Sequence, residues 1–145
     1  MRSIKIIVSL FVLVTLQACQ SKADVKAIEQ HINGYWEIEK AKLPDGTEKD
    51  YTINSTVDYF ELKENQTGVR YKVVPQFNGE FLTNDVPESF TIEEKDGAIW
   101  LDYKTDFSTW KEKVITVSQE KLVMENENKM TYYYKRANPI QIKEE

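Results

Sequence analysis

Two residue types with distinctive reactivity occur once each in this sequence, cysteine at Cys19 and histidine at His31. A sole cysteine forms no disulfide within the chain, so its thiol is either a buried apolar group or a nucleophile for modification. His31 has no second histidine to share a zinc ion and sits at the edge of a helical stretch, where a surface imidazole is the simpler reading. The acidic run Glu93-Glu94-Lys95-Asp96 falls at a hairpin and lacks the spaced oxygen ligands and central glycine of a calcium loop. The glycines are scattered turn formers, with no phosphate-binding loop among them. These residues therefore predict no catalytic constellation, no metal site and no cofactor, and the chain is expected not to be an enzyme.

The context of Cys19 is more specific. Arg2 and Lys5 precede an apolar run from Ile6 to Leu16, broken only by Ser9 and Thr15. That run is too short for a membrane span, which needs about 20 apolar residues, and suits a signal-peptide core of roughly 7 to 15. It ends in Leu16-Gln17-Ala18-Cys19, which resembles the bacterial lipobox, with Gln17 bulkier than the usual small residue. The resemblance implies a signal over residues 1–18, cleavage before Cys19, and lipid on its thiol holding the chain to a membrane. Gln20, with no aspartate beside it, resembles the type passed to the outer membrane of a Gram-negative cell, facing the periplasm or the outside. Cleavage removes Arg2 and Lys5 and no acid, so the formal charge of −5 becomes −7. An acidic domain with interleaved charges, as in Lys111-Glu112-Lys113, argues against nucleic acid as a partner.

Positioning elements follow from periodicity. Residues 19–24 read as a short tether, 25–137 as one folded domain and 138–145 as a polar tail. Val25, Ile28 and Ile32 share a helical face, Ser21 with Asp24 could form a capping box, and Asn33-Gly34 supplies a stop. Beyond it the pattern is all-β, with runs near 35–42, 56–63, 67–74, 79–83, 89–95, 98–104, 111–118, 121–126 and 130–136. Turn signals such as Pro44-Asp45-Gly46, Asn65-Gln66-Thr67-Gly68 and Asp96-Gly97 separate them. Faces sort by parity: Trp36 and Ile38 oppose Glu37 and Glu39, Val69, Tyr71 and Val73 oppose Arg70 and Lys72, and Ile99, Leu101 and Tyr103 oppose Asp102 and Lys104. Such strands predict an antiparallel up-and-down β-barrel of about eight strands behind a short N-terminal helix, with another barrel or a β-sandwich as the alternative.

Gly34-Tyr35-Trp36, a Gly-x-Trp where a helix meets the first strand, resembles the first signature of the lipocalins and related calycins. Arg136, closing Tyr132-Tyr133-Tyr134-Lys135-Arg136, matches the arginine that packs over that tryptophan in the superfamily. The resemblance implies a lipocalin-like barrel in which Gly34, Trp36 and Arg136 close one end. An even strand count would bring first and last strands together, so one of the nine runs must drop out, and 79–83 is the weakest.

A barrel of this kind leaves two uses open. Tyr71, Tyr103, Tyr132 and Tyr134 share faces with apolar residues, and inward hydroxyls would make a moist pocket for a small apolar or amphipathic ligand. Alternatively the barrel is filled by its own side chains and docks a protein partner at the cell envelope through exposed aromatics, with Trp100 and Trp110 as candidates.

Overall fold

In the computed structural model, which describes residues 22–139, Asp24 opens the first element by accepting a hydrogen bond from the backbone N–H of Ala27 at 2.7 Å. Asp24 is thus the N-cap of α1 (Val25–His31), and Ser21 lies outside the described residues. Ile28 and Ile32 are fully buried, so the predicted helical face is the one that packs into the core.

Ten strands follow: β1 (Gly34–Lys42), β2 (Glu48–Asp50), β3 (Val57–Leu62), β4 (Thr67–Pro75), β5 (Phe81–Thr83), β6 (Glu88–Lys95), β7 (Ala98–Lys104), β8 (Thr109–Val117), β9 (Lys121–Asn126) and β10 (Thr131–Arg136). Eight of them form a closed antiparallel ring in the order β1-β3-β4-β6-β7-β8-β9-β10, and β10 returns to β1 with Trp36 opposite Arg136 and Lys42 opposite Thr131. Closure pairs both edges of the sheet and leaves no template for edge-to-edge association along the ring. The run 79–83 drops out of the ring, as the even count requires: Phe81–Thr83 folds back on the end of β4. The reading missed β2, which pairs with Lys40–Lys42. Glu48-Lys49-Asp50 is exposed throughout and has no apolar alternation to reveal it.

Tight turns hold the hairpins. Asn65 and Gln66 both take positive φ, as do Asp96 and Gly97, the left-handed pair that matches strand twist in a two-residue connection. All of these turns, with α1, the start of β1 and the end of β10, gather at one end of the barrel. The longer connections carrying β2 and β5, and the turns at 105–108 and 127–130, gather at the other.

The parity of β4 corrects the sequence reading. Gly68, Arg70 and Lys72 face the interior, and Val69, Tyr71 and Val73 face outward. Arg70 is buried and pairs with inward acids, while Tyr71 lies across from Tyr59 on the outer wall. That outer wall is itself covered. The Tyr35 ring lies 4.6 Å from that of Tyr59 and stacks on Phe81 of β5 at 4.0 Å, which explains why the strand's apolar side could point away from the core. Val57, Val69 and Val73 are buried there, apart from the main core cluster.

Candidate functional site

The end of the barrel beside α1 is tied shut. The Trp36 indole N–H donates to the carbonyl of Ile32 at 2.7 Å, and the Arg136 guanidinium lies 3.8 Å from the indole centroid. Arg136 also donates to the carbonyls of Gln119, Asn33 and His31, joining the β8–β9 turn to the end of the helix. Gly34 holds φ +114°, and a Cβ there would come within 2.9 Å of the Arg136 Nη1. Gly34, Trp36 and Arg136 therefore meet in one structural plug; His31 contributes only its carbonyl to it. Partial burial lowers the Arg136 pKa below the usual arginine value.

Above the plug the interior is apolar, built from Phe60, Phe90, Leu101, Leu122 and Met124 with the two helix isoleucines. Toward the other end it becomes charged. Arg70 donates through Nε to Glu88 and through Nη1 to Glu112 at 2.9 Å, and its guanidinium lies 4.4 Å from the Tyr103 ring. Tyr103 stacks on Trp110 at 5.0 Å, so Trp110, a docking candidate from sequence, points inward instead. Trp100 takes the opposite parity, across from Lys113 and Glu93 on the outer wall. Lys72 pairs with Asp58 one residue pair further up β3 and β4.

The wall opens where β1 and β3 part. Their pairing ends at Trp36 and Asp58, after which β1 turns to β2, and the Asn54 side chain bridges to the Ile38 carbonyl at 2.8 Å. The resulting cleft has a volume of 410 Å³ and is lined by Trp36, Ile38, Thr56, Val57, Asp58 and Lys72. A larger hollow of 690 Å³ is lined by Thr116, Val123 and Tyr133, whose side chains point outward, and also by Tyr134.

Among the described residues, two polar atoms behind this cleft are buried without a hydrogen-bond partner, Asp58 Oδ2 and the Tyr103 hydroxyl. Such atoms cost about 1–3 kcal/mol each when left unpaired and are the places where a fold asks for a further group. Burial pushes the Tyr103 and Tyr134 hydroxyls well above the ordinary tyrosine range; the nearby carboxylates add to this, and Arg70 opposes it, so both are held as neutral phenols. For Arg70 burial works against the charged form, but the carboxylates of Glu112 and Asp58 work the other way, and the guanidinium stays protonated.

Of the four tyrosines picked from sequence, Tyr103, Tyr132 and Tyr134 are on the inward face and Tyr71 is not. Cys19 lies outside the described residues. The sequence reading missed Asp58, Arg70, Lys72, Glu88 and Glu112, although a signal was available. Asp58 shares parity with Phe60 and Leu62, Glu88 with Phe90 and Ile92, and Glu112 with Trp110 and Val114. Three acids on three apolar faces require inward cations, and Arg70 and Lys72 are those cations. Among the described residues no three His, Cys, Asp or Glu side chains gather as metal ligands, and no helix is long and apolar enough to cross a membrane.

A crystal structure of a lipocalin-like protein from Bacteroides uniformis and one of an uncharacterized protein from Bacteroides eggerthii are each similar to the chain at 14% identity and a TM-score of 0.45, covering 72% of it. The alignments take in 97% and 98% of those two chains respectively. No curated protein matches the sequence. Residues 32–124, from the C-cap of α1 into β9, match the model of the lipocalin-like domain, and the chain belongs to that family.

Proposed function

We propose that this protein is a lipoprotein of the bacterial cell envelope, lipid-anchored through Cys19 and in the outer membrane of a Gram-negative cell, whose barrel binds a small amphipathic ligand. The observation that carries the binding reading is the pair of unpartnered buried atoms, Asp58 Oδ2 and the Tyr103 hydroxyl, behind a cleft that opens the wall between β1 and β3. Its volume of 410 Å³ falls within the range of about 300–1,000 Å³ common for small-molecule sites. The anchoring reading rests on Leu16-Gln17-Ala18-Cys19 behind its short apolar run.

These two parts fit together geometrically. The chain enters the fold at the plugged end, where the Ala23 N–H donates to the Ile115 carbonyl and Lys22 lies beside Gly97 of the β6–β7 turn. Three residues span at most about 10 Å, so a lipid on Cys19 keeps that end near the bilayer and turns the open end away from it.

A second reading, a docking lipoprotein, is favoured by one observation. The loops of the open end carry exposed apolar side chains, Ile53 at 89% and Phe107 at 95% exposure, with Phe77 and Val86 nearby in sequence to β5. Such a rim suits an envelope protein partner.

One preparation tests the main reading. The chain from Gln20 keeps the helix and every barrel strand; purified under native conditions, it should carry a small molecule detectable by mass spectrometry. An empty protein showing no thermal shift with any of a lipophile panel rejects ligand binding. Cys19→Ser in cells should abolish lipid labelling and processing; a variant still labelled and cleaved rejects the anchor. A photocrosslinker at Phe107 giving a single envelope adduct would favour docking.

A further inference from the structure

The charges inside the open half of the barrel do not balance. Arg70 and Lys72 face three carboxylates, Asp58, Glu88 and Glu112. Arg70 is spent on two of them, Glu88 and Glu112, and its own side chain is only 5% exposed. Lys72 therefore serves Asp58 alone, through Oδ1; among the described residues Oδ2 accepts no hydrogen bond of ordinary geometry, and the neutral Tyr134 hydroxyl beside the carboxylate is the one uncharged donor close to it. A buried acid with one oxygen unpaired is an acceptor looking for a donor, and the surplus charge around it is negative.

The two members of the Lys72–Asp58 pair differ in their freedom. Asp58 is fixed within the wall at 4% side-chain exposure, while the Lys72 side chain is 39% exposed and lines the cleft. Its ammonium sits on a flexible stem that can swing into water at little cost. Lys72 is therefore a removable stopper over a buried carboxylate. The rest of the cleft offers an apolar wall, with Ile38 part-exposed at its surface and Val57 and Trp36 buried behind it.

We infer that the cleft between β1 and β3 takes an amphipathic ligand bearing a protonated amine, which displaces Lys72 and pairs with Asp58 while its apolar body lies along Ile38. This rests on the ligand-binding reading and specifies its chemistry. An anionic amphiphile has the opposite problem: pairing with Lys72 takes that cation from Asp58 and adds a fourth negative group to the three already there. The acidic balance of the chain, 24 Asp and Glu against 19 Lys and Arg, works in the same direction at longer range.

The test uses three probes of equal chain length, n-octylamine, octanoate and 1-octanol, titrated by calorimetry into the chain from Gln20 at neutral pH. The amine should bind about tenfold or more tighter than octanol, and octanoate weakest of the three. Asp58→Asn should bring the amine down to the level of octanol. Because that variant leaves Lys72 without its anion and could fail to fold, Lys72→Met supplies an independent check: removing the competing cation should tighten amine binding about tenfold. Octanoate binding as well as the amine, or an amine affinity unmoved by Lys72→Met, overturns the inference. Equal binding of amine and alcohol overturns it too but leaves the barrel a ligand carrier, whereas no binding by any probe removes the carrier reading as well.

Discussion

The guanidinium of Arg136, the last residue of the last strand, lies 3.8 Å over the indole of Trp36 near the start of the first. This contact joins the chain's two ends at the one place where the ring of strands closes. It also explains Gly34: the backbone passes so near Arg136 that a side chain has no room, at a φ that disfavours one anyway. Sealing this end leaves the charged half of the interior at the other, beside the cleft.

Arg136→Ala removes a cation–π contact and three charge-assisted hydrogen bonds to the carbonyls of Gln119, Asn33 and His31. With part of that interaction in water, the expected loss is about 2–4 kcal/mol. Urea unfolding should show a lower midpoint at unchanged slope. Gly34→Ala should destabilise by about 1–3 kcal/mol, and the two losses should be less than additive, since the alanine's methyl collides with the arginine that the other variant removes.

Gly68 is inward on β4, and a Cβ on it would come within 2.8 Å of two edge carbons of the buried Phe90 ring. Gly68→Ala should therefore cost about 1–3 kcal/mol through overpacking. In a Phe90→Leu background the same change should cost markedly less. An equal penalty in both backgrounds would mean that the glycine is needed for its backbone and not for the ring.

Much of the architecture was legible because it is written in local chemistry. Turn pairs such as Asp96-Gly97, the isoleucines of α1 and its C-cap and the alternation of β7 each specify their own element. The requirement for an even ring then removed 79–83. The charged interior was harder to read, because its partners come from β3, β4, β6 and β8 and no short window contains a pair. The outer layer misled in addition. Val69, Tyr71 and Val73 look like a core face because a second layer, Phe81 on Tyr35, covers the outer wall, so apolar parity marks a buried side without saying which side is inside. The acids at 58, 88 and 112, each interrupting an apolar face, were the better clue.

Arg70 anchors that interior. Replacing it with methionine leaves Glu88 and Glu112 facing each other's charge in a buried site, and such one-sided removal costs about 3–5 kcal/mol. Arg70→Met, Glu88→Gln and Glu112→Gln combined should recover most of that loss, as judged by chemical denaturation at neutral pH. A triple variant as unstable as the single one would show that Arg70 acts through its packing on Tyr103 and not through the ion pairs.

The two buried phenols set the alkaline limit of the fold. Burial raises the folded-state pKa of Tyr103 and Tyr134 well above the value of about 10 that each regains on unfolding. The unfolded chain therefore releases protons first. Their contribution is fully present below about pH 10 and is lost as pH rises beyond it, by about 1.4 kcal/mol per pH unit for each tyrosine until the folded-state value is reached. Urea midpoints taken from pH 8 to 12 should fall along this slope, and Tyr134→Phe should make the fall shallower by one tyrosine's share. Tyr103→Phe should do the same while leaving stability at pH 7 equal or higher, because its hydroxyl has no partner to lose. Alkaline slopes unchanged in both variants would place these hydroxyls in contact with water, contrary to the packing that encloses them.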